Sequence, residues 1–321
     1  MKESLHKSFL AAVVLLVATL LTVNAWAEKQ IGFLIFSNET RYMETAKGVK
    51  DKLSEAGYTE SNTHYIIAKT AGNKAKALEL VRKFASEKLD LIISLGTTST
   101  LIVAKEIKDV PIVFSNVYDP VGSGIAKSWK SSGNKTTGSS SKIPMVKVLQ
   151  SLELLRPIKR LAVLYTPGEK NSEAAVRDLQ NIQVKLGLTI IPVIVSSSED
   201  IDQILPQVLT TADGLYITGS NMVKSRMKTI IDMASKSGII TVSHIDDLIE
   251  EGVLVGVCAN SYSMGRLAGE KAVKILHGAK PSSLPIEAPT KYDVMLNMKT
   301  AKKGNFLIPP EFMKTVTRKI E

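Results

Sequence analysis

From residue 31 onward, short runs of apolar and β-branched residues alternate with longer segments whose apolar positions recur every three or four residues. The runs 31–36, 64–68, 89–95 and 111–115 predict strands, and 41–56, 74–86 and 99–107 predict the helices between them. A second series repeats the rhythm, with strands at 159–165, 188–195, 214–217 and 238–242 and helices at 172–186, 201–209 and 223–237. Alternation with connections of this length builds parallel sheets covered by helices on both faces. Near-continuous apolar strands such as LDLIISL (89–95) are what a sheet buried on both faces requires. The predicted class is α/β, in two lobes.

Between the two series lies KSWKSSGNKTTGSSSK (127–142), rich in Ser, Gly and Thr and without apolar periodicity, which reads as a flexible loop leading into an interdomain crossing. Beyond the second series a helix over 264–276 stops at His277-Gly278, a connector follows over 281–289, and a last strand is predicted at 292–296. Such late elements imply that the chain returns to the first lobe and crosses again. Three crossings are expected, near 137–141, 259–261 and 283–286, acting as a hinge. Lobe 1 would hold 28–137 plus 260–284, and lobe 2 would hold 138–259 plus 285–321, with a cleft between them.

Residues 1–27 do not share the rhythm. Lys2 and Lys7 precede an apolar run over 9–23, and Ala25-Trp26-Ala27 offers a small-x-small site. This is the layout of a secretory signal peptide cleaved after Ala27, since the apolar run is short of the ~20 residues a spanning helix needs. With Lys2, Glu3 and Lys7 removed, the net charge of +10 falls to +9. The basic residues are dispersed, and no basic stripe carries interleaved aromatics, so a nucleic-acid partner is not expected. The single Cys258 permits no intrachain disulfide, and no cysteine at the cleavage site offers a lipid anchor. A composition of 44% hydrophobic and 22% charged residues excludes collagen-like and disordered chains. The mature chain is expected in a Gram-negative periplasm, as a monomer.

In open α/β sheets ligands bind beyond the C-terminal ends of the strands. The loops there are rich in hydroxyls and amides: Ser37-Asn38-Glu39-Thr40, Gly96-Thr97-Thr98-Ser99, Ser115-Asn116, Ser196-Ser197-Ser198, Thr218-Gly219-Ser220-Asn221 and Ser243-His244. Any one of them is more often a helix cap than a ligand contact. Gly96-Thr97-Thr98-Ser99 is the sharpest, because it follows a buried strand and opens a helix whose free N–H groups suit a carboxylate or phosphate. It lacks the Lys and spacing of a nucleotide P-loop. Asp119 and Glu169 are candidate cleft carboxylates, or turn and cap residues, and Asn260 sits at the second crossing. Enzyme constellations are weak. His64, His244 and His277 show no metal-ligand spacing, and Ser243-His244 with Asp246-Asp247 are sequence neighbours, which do not normally supply triad geometry. Neither a cofactor nor a metal is expected.

The stretches GTTST (96–100), SNVYDPVGSGI (115–125), LYTPGEKNS (164–172), LYITGSN (215–221), MGRLAGEKAVKILHGAKPSSLPIE (264–287) and LNMKTAKK (296–303) occur in an order that resembles the substrate-binding proteins of ABC transporters, in the family that includes tryptophan- and tyrosine-binding members. The resemblance implies two Rossmann-like lobes of the type I periplasmic binding protein kind, joined by three crossings. It also implies a small polar or carboxylate-bearing ligand in the cleft, and delivery to an ABC permease in the inner membrane. By the same resemblance Thr97, Thr98 and Ser99 would hold a carboxylate, Ser115, Asn116 and Asp119 would close from the same lobe, and Tyr165, Glu169 and Asn171 would come from the opposite lobe. Ser37, Asn38, Gly96, Ser220, Asn221 and Asn260 complete the candidate set. Members usually carry Asp where Ser220 stands, suited to an α-ammonium, and a His-Pro-like segment where residues 37–40 stand. Ser220 cannot supply that charge, so amino acids are expected to bind poorly unless Asp119, Glu39 or Glu169 does. The rival readings are a sensory protein of the same fold signalling to a membrane kinase or chemoreceptor, and a periplasmic hydrolase, which lacks a visible nucleophile–base pair.

Overall fold

A computed structural model describes residues 28–321, so the predicted leader lies outside the described residues. The first series forms β1 (Lys29–Ile35), α1 (Thr40–Glu55), β2 (Thr63–Lys69), α2 (Lys74–Ser86), β3 (Leu91–Leu95), α3 (Thr97–Glu106), β4 (Ile112–Val117) and β5 (Thr136–Ser140). Its five strands are all parallel, in the order β2-β1-β3-β4-β5. Side chains alternate between the faces, as strand geometry dictates. Phe33, Ile35, Leu91 and Ile93 pack with Val49 and Leu53 of α1. Leu34 and Ile92 pack on the other face with Val81 and Phe84 of α2 and Val103 of α3.

The second lobe comprises α4 (Met145–Leu155), β6 (Arg160–Tyr165), α5 (Lys170–Gln183), β7 (Thr189–Ile194), α6 (Asp200–Thr211), β8 (Gly214–Ile217), α7 (Asn221–Lys224), α8 (Met227–Lys236), β9 (Ile240–Ser243), α9 (Asp246–Glu250) and β10 (Val255–Cys258). The chain then enters α10 (Ser261–Leu276), which packs on α1 of the first lobe. It returns through β11 (Asp293–Asn297), α11 (Met298–Lys303), α12 (Pro310–Thr315) and β12 (Arg318–Ile320). The second sheet runs β12-β11-β10-β9-β8-β6-β7 and is mixed, because β11 pairs antiparallel to β10.

The α1–α10 contact is close because glycines face it. A Cβ at Gly48 would stand 2.3 Å from the Tyr262 carbonyl, and one at Gly265 would stand 2.1 Å from that of Thr45. Any side chain there would push the helices apart and move both elements that open onto the cleft.

The segment read as a flexible loop contains β5, TTGSS, with all five residues buried. Its hydroxyls are satisfied internally: Ser139 Oγ lies 2.7 Å from Ser115 Oγ and donates to the Met264 carbonyl, Ser140 Oγ donates to the Tyr118 carbonyl, and Thr137 Oγ1 to that of Leu284. A strand buried through paired hydroxyls carries no apolar pattern. Helix α4 and strand β10 are further elements beyond those expected. Residues 284–287 still bond to the first sheet, with Glu287 N–H on the Gly138 carbonyl and Ser140 N–H on that of Glu287. The chain therefore leaves the first lobe after Glu287, later than the 284/285 boundary read from the sequence.

Candidate functional site

The C-terminal ends of β1, β3 and β4 in one lobe and of β8, β9 and β10 in the other converge on one cavity of about 50 Å³, room for a few water molecules. A roomier groove by Asn260, Arg266 and Lys291 lies on the outer side of the third crossing and gathers no comparable set of buried polar groups.

On the first lobe, Gly96 holds φ at 101° and precedes α3, whose first turn has no side-chain cap. A Cβ at Gly96 would stand 2.8 Å from the Tyr42 hydroxyl, so glycine alone lets the helix start abut that ring. Thr97 and Thr98 line the cavity. Thr97 Oγ1, and Ser37 Oγ at the end of β1, are buried without a hydrogen-bond partner, where such groups are ordinarily paired. Asn116 sits at φ 55°, where the β4–β5 register shifts, and this turns its side chain toward the cavity. Its Nδ2 donates to Thr45 Oγ1 at 2.6 Å.

A charge network crosses between the lobes beside the cavity. Arg41 of α1 pairs with Glu39 and, at 2.9 Å, with Asp247 of α9. Lys224 of α7 lies 3.2 Å from Asp247, 3.6 Å from Glu39 and 2.9 Å from Glu251. Burial pushes the Asp247 carboxyl up, but Arg41 and Lys224 outweigh it and hold the group below the ordinary carboxylate value. Asp246 differs. It accepts hydrogen bonds from Ser261 N–H, Ser261 Oγ and Asp247 N–H, and no cation pairs with it among the described residues. Burial, then the charge of Asp247, raises its pKa. His244 is buried between Tyr118 and Tyr216, and burial, then Arg41, lowers its pKa to about 3, so the imidazole is neutral. Phe36, Tyr42, Ile245 and Met264 supply an apolar part of the wall.

Of the expected site residues, Thr97, Thr98, Asn116, Asn171 and Asn221 meet at this cavity. Ser37 and Gly96 adjoin the cavity residues Phe36 and Thr97, and the rest lie elsewhere. Ser99 Oγ turns back to the Leu95 and Gly96 carbonyls, and Ser115 is sealed against Ser139. Asp119 pairs with Arg177 and Lys142 on another flank of the interlobe contact. Tyr165 packs against the second-lobe core, and Asn38 is exposed. Glu169 accepts from Asn221 N–H at 3.0 Å and so props the start of α7. Ser220 Oγ lies 2.6 Å from Thr166 Oγ1 and accepts from Val223 N–H, and Asn260 Oδ1 accepts from Ser263 N–H. Both are helix caps. Arg41, Tyr42, Tyr118, His244, Asp246 and Ser261 are cavity residues absent from the expected set. The crevice rule already pointed to Ser243-His244, and carried two residues further along the loop after β9 it would have reached Asp246.

The profile of a family described as ABC transporter substrate binding protein matches residues 30–320. A curated relative, the tyrosine-binding protein of Clostridioides difficile (strain R20291), is 26% identical over 277 residues, spanning 86% of this chain and 80% of the relative. A solved structure described as the ABC domain in complex with L-Trp from Streptococcus pneumonia shares the fold at a TM-score of 0.86 and 24% identity, covering 91% of this chain and 100% of that one. The ligand-free, open structure of a substrate binding protein with adhesive properties from Clostridium difficile matches at a TM-score of 0.72 and 26% identity, over 90% of this chain and 98% of that one.

Proposed function

The chain belongs to the ABC transporter substrate-binding protein family, and from that premise we propose that it captures an aromatic amino acid between its lobes and hands it to a membrane permease outside the cytoplasm. The observation that carries the ligand class is the pairing, in one cavity, of an uncapped helix start with an unmatched carboxylate. The first suits an α-carboxylate, through the free N–H groups of α3 and the unpartnered Thr97 hydroxyl. The second, Asp246, suits an α-ammonium, since Arg41 and Lys224 are already matched by Glu39 and Asp247. The missing charge at position 220 is thus supplied from the loop after β9, and the case against amino acids loses its ground. The ring-bearing wall of Phe36, Tyr42 and Tyr118 favours an aromatic side chain. The tyrosine-binding relative supports the same ligand class.

A thermal-shift and calorimetry panel tests this with tyrosine, tryptophan and phenylalanine beside their N-acetyl and deaminated analogues. A ligand at ~1,000 times its dissociation constant stabilises by ~4 kcal/mol, which is readily seen. The free amino acids should bind, the analogues should bind far more weakly, and Asp246→Asn should erase the difference. Equal binding of the N-acetylated forms to the wild type would overturn the ammonium assignment. Uptake of the labelled amino acid by cells with and without the gene tests delivery.

A further inference from the structure

His244 is fixed on one edge and free on the other. Its Nδ1 lies 2.5 Å from the Tyr216 hydroxyl, the Tyr118 ring meets it edge-on at 4.9 Å, and the Tyr216 ring lies nearly parallel to it, within 15°, with centroids 6.0 Å apart. The side chain lines the cavity. Nδ1 makes its hydrogen bond, and Nε2 makes none among the described residues.

Which proton Nε2 carries follows from Tyr216. That hydroxyl is fully buried and has two neighbours, His244 Nδ1 at 2.5 Å and Met145 Sδ at 3.4 Å. It holds one proton to donate. A thioether is a weak acceptor and a neutral imidazole nitrogen a strong one, so the phenol proton goes to Nδ1. A neutral imidazole that accepts at Nδ1 carries its hydrogen on Nε2. The low pKa agrees with the neutral ring. The cavity therefore holds an N–H donor with no protein acceptor, and a ligand that leaves it unpaired forfeits its desolvation.

We propose that His244, set as the Nε2–H tautomer by Tyr216, is a specificity-determining residue that selects a ligand bearing a hydrogen-bond acceptor on its ring, a phenolic amino acid over an indole or phenyl one. The proposal rests on the reading of the site as one for aromatic amino acids. A phenol oxygen accepts, an indole N–H only donates, and a phenyl ring does neither. Sites that hydrogen-bond a ligand group discriminate against analogues lacking it far more sharply than apolar pockets discriminate by size.

The test compares tyrosine, phenylalanine and tryptophan on the wild type and on the double variant His244→Phe, Tyr216→Phe, which strands no hydroxyl. On the wild type tyrosine should bind at least tenfold more tightly than phenylalanine. On the double variant the preference should shrink to within about threefold, with phenylalanine affinity little changed. A preference that survives the substitution overturns the proposal. So does an equal loss for tyrosine and phenylalanine, which would place the N–H on the shared α-carboxylate. Nitrogen-15 spectra of wild-type His244 read the tautomer without any variant: a protonated Nε2 is expected, and a protonated Nδ1 with bare Nε2 refutes it. If none of the three amino acids binds the wild type, the underlying ligand reading fails, an outcome distinct from any of these.

Discussion

Asp247→Asn should unlatch the lobes while leaving each one folded. The carboxylate is 2% exposed and sits between Arg41 of the first lobe at 2.9 Å and Lys224 of its own lobe at 3.2 Å. At an effective dielectric of about 20 the Arg41 contact alone amounts to about 6 kcal/mol of Coulomb attraction. Removing one partner of a buried pair costs about 3–5 kcal/mol, because the other charge stays buried. Two features reduce this here. Glu39 remains beside Arg41, and Glu39 and Glu251 remain beside Lys224. A cost of about 2–3 kcal/mol to the closed arrangement follows, while in an opened cleft water would solvate the same groups. On the proposed reading, in which the closed lobes hold the ligand, affinity should fall by about 30- to 150-fold. Calorimetry with the tightest-binding amino acid reads the affinity, and small-angle scattering reads the radius with and without it. A melting temperature within a few degrees of wild type shows that the lobes stay intact. If affinity stays within threefold and compaction on binding is unchanged, the network is a bystander and the reasoning fails.

The remaining predictions separate ligand contacts from scaffolding. Thr97→Val removes a hydroxyl that has no protein partner, so it should weaken amino-acid binding at least tenfold, as hydrogen bonds to charged groups are worth about 1.5–3 kcal/mol, with the melting temperature of the unliganded protein unchanged. Ser220→Ala should do the reverse, since it deletes the α7 cap: about 1 kcal/mol of stability lost in urea titration, with little change in affinity. On acidification two steps are expected. Asp246, its pKa raised by burial and by Asp247, takes up a proton above the ordinary 3.8, so amino-acid affinity falls first. The contribution of Asp247, whose pKa is depressed, is complete above 3.8 and is lost only as pH falls further through the lowered value. Calorimetry and scattering across pH should therefore show amino-acid affinity falling before the interlobe latch is released, and an affinity that falls only together with the opening of the lobes would refute this ordering.

The alternation of β-branched runs with amphipathic segments was enough to read the two α/β lobes, because both sheets are buried on both faces and their strands must be apolar throughout. What escaped was held by other forces. Strand β5 is stabilised by hydroxyls bonding to the Ser115 hydroxyl of β4 and to carbonyls of α10 and the third crossing, a pattern written in Ser and Thr that a hydropathy reading assigns to loops. The antiparallel return of β11 against β10 depends on where the third crossing lands. That in turn is set by Lys271, which is 2% exposed and whose Nζ donates to the Pro285 carbonyl and Glu287 at 2.6 Å. Nothing in local sequence announces that a lysine in α10 pins a strand-like segment beyond Leu276.

Candidate site residues divide along a physical line. The loop before α3 was legible because a glycine at a strand end followed by hydroxyls has few uses other than receiving an anion or capping the helix. The lack of a side-chain cap at Gly96, with Thr97 Oγ1 left bare, weighs against the capping use. For Ser220 the same ambiguity resolved the other way, its oxygen being taken up by Thr166 and the Val223 N–H. One sequence motif thus has two outcomes, decided by whether a neighbouring element offers a partner. Asp246 and Asp247 make the point more sharply. Adjacent in sequence and both more than nine-tenths buried, they differ because the α9 backbone turns one toward Arg41 and Lys224 and the other toward Ser261. The carboxylate that meets its cations becomes a clasp between lobes, and the one that does not keeps an unmatched charge, the one we propose for the ligand's ammonium.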